Sequence, residues 1–189
     1  MQYKKAVELV ADLFRDVQRE VTGLPYIVHL VGVSYLVSKI TDDEDVIIAA
    51  LLHDILEDVP SDRYSERQMR DDFGDKVTNI VKTVSHNDAK YGKQESRQRY
   101  LDQIKSGSIE ACMVSAADLL HNATDVAYIY QNNPEGIKAK FGGKNVELRA
   151  WFWHERLNIL SDRLGSDNLL IRQLQDKMTE LDKVHAEIS

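Results

Sequence analysis

Apolar residues recur at three- and four-residue intervals along most of the chain. Ala6, Val7, Val10, Leu13, Phe14, Val17 and Val21 form one such stripe, which predicts a core-facing helix over 3–21. Thr22-Gly23-Leu24-Pro25 breaks it, because glycine ends helices readily and proline cannot continue one. A second helix is expected from about Tyr26 to Ile40. Asp42-Asp43-Glu44-Asp45 then gives a third helix a negative first turn that complements its dipole. The third helix is nearly all apolar (Val46, Ile47, Ile48, Ala49, Ala50, Leu51, Leu52), the pattern of a central element. It is expected to end near Asp58, with Pro60 just beyond.

Ser65 with Gln68 fits a capping box for a short helix, and Gly74 separates that helix from one over about 75–85. The polar stretch His86 to Gln94 reads as a loop. Helices follow over about 95–105 and 108–131. Asn132-Asn133-Pro134 and Gly142-Gly143 bracket a short connection, and Gly165-Ser166 divides two last helices over 145–163 and 167–186. There is no internal repeat and no strand-like alternation of useful length. The expectation is an all-α, single-domain helical bundle over 1–189, with 167–189 a C-terminal helical extension.

Composition narrows this further. A chain of 189 residues, 43% of them apolar, can bury a core without a disulfide or a structural metal. No run of about 18 apolar residues is present to span a bilayer, and Met1 leads into an amphipathic segment, unlike a secretory leader. The single cysteine, Cys112, cannot form an internal bridge, so the chain reads as cytoplasmic with Cys112 in the core. A net charge of −7 offers no general electrostatic footprint for nucleic acid or an anionic membrane. A polyanionic ligand must therefore be met by local cations or by a metal. Nothing in the sequence sets an oligomeric state.

The densest chemistry is His53-Asp54-Ile55-Leu56-Glu57-Asp58, at the end of the apolar third helix. On a continuous helix these spacings put all four polar side chains on one surface, with Ile55 and Leu56 turned to the core. Carboxylates and an imidazole packed this closely repel one another unless a cation or an exchanging proton lies among them. An acidic helix end facing water fits less well, since carboxylates at a helix C-terminus oppose its dipole. His29 alone reads as a satisfied core or surface residue more readily than as a ligand. Asp118, within Val114-Ser115-Ala116-Ala117-Asp118-Leu119-Leu120-His121-Asn122, needs a partner among its small and apolar neighbours, whether a hydrogen bond or a metal. Together, His29, His53, Asp54 and Asp118 make a mixed N/O set that suits six-coordinate Mn²⁺ or Fe²⁺ better than a closed tetrahedral zinc site. Glu57 and Asp58 are then left beside the ion for proton transfer.

These residues follow the H…HD…D pattern of the HD-domain metal-dependent phosphohydrolases. Thr22-Gly23-Leu24-Pro25-Tyr26-Ile27-Val28-His29, the run Ala49 to Asp58, Phe73-Gly74-Asp75-Lys76-Val77 and Ala116 to Asn122 resemble, in order and interval, the hydrolase domain of RelA/SpoT proteins. The resemblance covers about residues 1–165 and leaves no room for a synthetase or regulatory domain. It implies a stand-alone small alarmone hydrolase that removes the 3′-diphosphate of ppGpp or pppGpp, usually with Mn²⁺; Fe²⁺, Co²⁺ and Zn²⁺ are the other divalent candidates.

By the same resemblance His29, His53, Asp54 and Asp118 hold the ion, and Glu57 and Asp58 orient and deprotonate water. Asn122 lies near the ribose and phosphate. Arg19, Lys93 and Arg97 are the cations for phosphates or base, while Arg149 and Trp153 reach the nucleotide from the other side. His86 and Asn87 fall where the family has a polar loop near the pocket. His121 reads as structural, and His154 and His185 as surface residues.

Several positions depart from the family. Gln18 stands where the first of two adjacent basic residues is usual, Ser115 and Leu119 replace basic residues around Asp118, and Thr124 replaces an arginine. The reaction type is therefore better specified than the substrate. The alternative is an HD phosphohydrolase acting on another nucleotide: a 5′-monophosphate, an adenine alarmone analogue or another 2′/3′-phosphorylated nucleotide. A nucleotide-binding module without turnover is a third reading, against which the intact Glu57–Asp58 pair argues.

Overall fold

The structure, a computed structural model, describes residues 2–20, 22–86, 91–133, 135–136 and 144–188. Val21, Asn87, Pro134, Gly142-Gly143 and the side chain of His185 lie outside the described residues. Helix α1 (Gln2–Leu13) buries Ala6, Val10 and Leu13 as the stripe predicts, but it stops at Leu13 and does not run to 21. Residues 14–20 and 22–26 fold back on themselves instead. The Arg19 N–H donates to the Leu24 carbonyl and the Tyr26 N–H to the Val17 carbonyl, both at 2.8 Å. Gly23 turns this loop at φ +72°, where a side chain would be strained. The stripe misleads because its next member, Phe14, reaches the core without a helix, stacking on Tyr26 at 5.0 Å between ring centroids. Val17 is left 41% exposed.

Helix α2 (Ile27–Val37) leads to α3 (Glu44–Leu52), whose N-cap Asp43 accepts a hydrogen bond from the Asp45 N–H. Val46, Ile48, Ala49, Ala50, Leu51 and Leu52 are all buried, and α3 packs against α1 and α2. A short α4 (Ile55–Asp58) follows. Then comes α5 (Glu66–Val84), which opens on the Ser65–Gln68 capping box. Gly74 leaves helical geometry within α5, at φ +86° and ψ 175°, so the segments before and after it are two helical stretches joined across a kink, as the pattern expects. α5 closes the other side of α3.

The second half comprises α6 (Lys93–Ser106), α7 (Ile109–Asn132), α8 (Lys144–Leu164) and α9 (Leu169–Ile188). Small buried residues on α7 (Ala111, Ser115, Ala116, Ala117, Ala123) let α2, α8 and α9 approach closely. α9 lays Leu170, Ile171, Leu174, Met178 and Leu181 into the same core. Each such leucine contributes roughly 1.5–3 kcal/mol by leaving water. The described residues contain no strand, only the isolated Gln18–Pro25 bridge, so the fold is all-α. Among the described residues, no helix is long and apolar enough to cross a membrane.

Candidate active site

The His53–Asp58 run does not lie on one continuous helix. α3 ends at Leu52, His53 caps it, and Asp54 begins α4. The Asp58 N–H donates to the Asp54 carbonyl at 2.8 Å, which starts the new turn. Ile55 is buried, as its place in the pattern requires, while Leu56 is only half-buried. The break swings Asp54, Glu57 and Asp58 toward a pocket between α2, α3 and α7.

His29 from α2, His53, Asp54 and Asp118 from α7 meet at the floor of this pocket. His29 Nε2 lies 3.3 Å from Asp118 Oδ1 and 3.6 Å from Asp54 Oδ2. His53 Nε2 lies 3.2 Å from Asp54 Oδ1 and 3.6 Å from Asp118 Oδ1. One donor atom from each of His29, His53 and Asp118 falls within a 4.8 Å span, a spacing that fits a metal ion. His53 Nδ1–H donates to the Ala50 carbonyl at 2.8 Å, which fixes the tautomer and turns Nε2 into the pocket. That Nε2 is buried with no hydrogen-bond partner among the described residues. An orphaned imidazole nitrogen facing two carboxylates fits a divalent cation. Burial alone would disfavour charge on His53, but Asp54 and Asp118 outweigh it and push the imidazole up to about 9.

The surrounding groups hold these side chains in place. Burial works to raise Asp118, yet the Arg156 guanidinium and the two imidazoles keep it well below the usual carboxylate range. Arg156 Nη2 donates to Asp118 Oδ2 at 2.8 Å, and Arg156 Nε donates to Ser115 Oγ at 2.8 Å. Asn122 Nδ2 donates to Asp118 Oδ1 at 2.6 Å and accepts at Oδ1 from Arg19 Nη2 at 2.6 Å. Arg19 also reaches Asp125 at 3.1 Å. The Tyr26 hydroxyl donates to Asp54 at 2.7 Å and Asp58 at 3.1 Å. Burial, Asp54 and Asp58 raise Tyr26 above its ordinary value, so it stays a donor.

Glu57 accepts from the His86 backbone N–H at 2.9 Å. Partial removal of its carboxyl from water outweighs that bond and, with Asp54, Asp58 and Asp118 nearby, pushes it up to about 8. Asp58 is raised as well, by burial and by Asp54.

The pocket encloses about 290 Å³. Arg19, Asn122 and Trp153 line it, whereas Lys93, Arg97 and Arg149 do not. Lys93 is exposed at the start of α6. Arg97 packs 5.4 Å from the Phe152 ring and Arg149 packs 5.6 Å from the Trp153 ring, flanking the pocket from outside its lining. Burial and the neighbouring Arg97 charge push Arg149 down to about 10. Sequence reasoning missed Arg156, whose signal was its place three residues after Trp153 and seven after Arg149 on one helix. It also gave Tyr26, Tyr100 and Ser115 no role in the pocket, which all three line.

A helical fold that gathers histidine and aspartate from α2, the α3–α4 junction and α7 defines the class, and a family model described as an HD domain matches residues 6–140. The chain belongs to the HD-domain family. The guanosine-3′,5′-bis(diphosphate) 3′-pyrophosphohydrolase MESH1 of Danio rerio is 33% identical over 140 residues, 72% of this chain and 73% of that protein. A protein of Haemophilus influenzae named guanosine-3′,5′-bis(diphosphate) 3′-pyrophosphohydrolase is 34% identical over 110 residues, 53% of this chain and 15% of its own length. Its namesake in Borreliella burgdorferi is 27% identical over 178 residues, 92% of this chain and 25% of its length. The chain thus matches a quarter or less of these two bacterial relatives. Among solved structures, a metazoan ortholog of SpoT described as hydrolysing ppGpp has a TM-score of 0.73 at 23% identity, covering 98% of this chain and 94% of that one. At that identity the likeness speaks for the fold.

Proposed function

We propose that this chain is a cytoplasmic, Mn²⁺-dependent hydrolase that removes the 3′-diphosphate of ppGpp or pppGpp, releasing pyrophosphate and GDP or GTP. The observation that carries the reading is the convergence of His29, His53, Asp54 and Asp118 with Glu57 and Asp58 beside them. The relatives named for this reaction support the substrate class. His29, His53, Asp54 and Asp118 would hold a divalent ion, which would supply Lewis acidity and lower the pKa of water toward neutrality.

The side chains supply the rest. Water oxygen bonds to the phosphorus attached to the ribose 3′-oxygen, and the bond between that phosphorus and the 3′-oxygen breaks. Glu57 and Asp58 take the water's proton and return one to the departing 3′-oxygen. Glu57, at about 8, exchanges a proton close to working pH, which general acid–base transfer favours. Tyr26 steadies Asp58 through its hydroxyl. Asn122 and Trp153 line the space for ribose and base, and Arg19, Lys93, Arg97 and Arg149 supply positive charge around the phosphates. Arg156, bonded to Ser115, brings a cation next to a position where the resembled family carries its own.

The neutral residues Ser115, Leu119 and Thr124 favour a second reading, an HD phosphohydrolase acting on another nucleotide. Quantified products from a nucleotide panel incubated with Mn²⁺ separate the two. Pyrophosphate from ppGpp supports the first, orthophosphate from a 5′-monophosphate supports the second, and binding without products overturns both.

A further inference from the structure

A neutral histidine that binds a cation through Nε2 carries its proton on Nδ1, and that proton needs an acceptor to hold ring and tautomer in place. For His53 the acceptor is the Ala50 carbonyl. For His29 the neighbouring atom is Nδ1 of His121, at 3.1 Å. The rings meet edge to face, with centroids 4.8 Å apart and planes at 78°. His29 Nδ1–H can therefore donate to the lone pair on His121 Nδ1, which places His121's own hydrogen on Nε2. Asp125 is no rival partner for that nitrogen: its nearest oxygen is 3.7 Å away and is engaged by Arg19.

The space that His121 occupies is made by Gly32, three residues after His29 on α2. A Cβ added at Gly32 would stand 2.4 Å from both Cδ2 and Nε2 of His121. The backbone at Gly32 is ordinary helix, so this glycine answers to the close approach of the ring and not to its own φ.

We propose that His121 is a positioning residue for the metal centre: it locks His29 with Nε2 toward the ion, and Gly32 is glycine to admit its ring. The inference rests on reading His29 as a metal ligand. The test is calorimetric titration of Mn²⁺ into the EDTA-stripped full chain, with thermal melting of the same stripped samples. His121→Leu keeps bulk but removes the acceptor, and should weaken Mn²⁺ binding roughly 10- to 100-fold. His121→Asn places an amide oxygen near the position of Nδ1 and should recover most of that loss. Gly32→Ala, which alters no proposed ligand, should displace His121 and weaken binding about tenfold by the same route.

A purely structural His121 would lower the melting temperature of the Leu and Asn variants alike and leave their Mn²⁺ affinities equal, and that result overturns the proposal. Unchanged affinity in Gly32→Ala also overturns it, even if His121→Leu fails to fold. Wild-type protein that binds no Mn²⁺ overturns the metal reading itself. Tight wild-type binding with an unaffected His121→Leu overturns only the role of His121.

Discussion

The floor of the pocket and its mouth are built on opposite terms. At the floor, three of the four proposed ligands are held by hydrogen bonds from their surroundings: Asp118 by Arg156 and Asn122, Asp54 by Tyr26, His53 by the Ala50 carbonyl. What these contacts leave over is a concentration of negative charge around two imidazole nitrogens. At the mouth, between α6 and α8, positive charge gathers instead. Arg97 Nη1 is buried with no hydrogen-bond partner among the described residues, and Arg149 lies near enough for the Arg97 charge to lower it. A cation relieves the first arrangement and an anion the second. The contrast suits a reaction in which an ion on the floor meets a polyphosphate arriving through the mouth.

Substitutions on the floor should abolish chemistry, and those at the mouth should only weaken capture. His53→Ala should lose Mn²⁺ and all detectable turnover; full metal occupancy in that variant would remove His53 from the ligand set. Asp58→Asn should keep the ion and the fold while kcat falls about 10²- to 10⁴-fold, the range for loss of a general base. Steady-state kinetics beside metal analysis would check it, and an unchanged kcat would reassign proton transfer to Glu57 alone.

Arg156→Met should cost about 3 kcal/mol of unfolding free energy, because it leaves the buried Asp118 charge without its strongest partner. Denaturant unfolding of the stripped protein measures this. At the mouth, Arg97→Met and Arg149→Met should each raise KM for ppGpp about tenfold with kcat nearly unchanged, the signature of lost ground-state binding. A fall in kcat without a change in KM would move either arginine to the floor's side of the comparison.

The smallest effects concern protons. With His53 pushed up to about 9, the stripped protein at pH 7 carries a proton that the ion must displace. Mn²⁺ affinity should therefore rise with pH up to about 9, with about one proton released per ion at pH 7. Calorimetry in buffers of different ionisation enthalpy counts it. Glu57 has the sign of a group raised on folding, from its ordinary 4.5 to about 8. The stability linked to it is present below about 4.5 and is lost as pH rises through about 8. Glu57→Gln removes that loss, so the melting advantage of the variant over wild type should grow between pH 5 and pH 9.

The chain's own pattern told much of this. Apolar periodicity located the buried third helix and the long helices after it, since burying a stripe on one face is a local property of the sequence. The resemblance put His29, His53, Asp54 and Asp118 on the same ion before any distance was known. Local pattern failed where a distant contact competes with helix propensity. The 14–26 loop replaces the end of the first expected helix because Phe14 finds Tyr26, and the helix expected to run to Asp58 breaks at His53, which turns Asp54, Glu57 and Asp58 into the pocket.

Residue types and spacing thus determined an all-α fold with a histidine–aspartate set and a carboxylate pair beside it. Only tertiary packing decided what stands behind that set. Arg156 reaches Asp118 from a helix 38 positions away in sequence, and His121 reaches His29 from 92 positions away. Side chains so far apart along the chain leave no shared period to read. Their contacts exist because α7 carries small residues that let α2 and α8 close upon it.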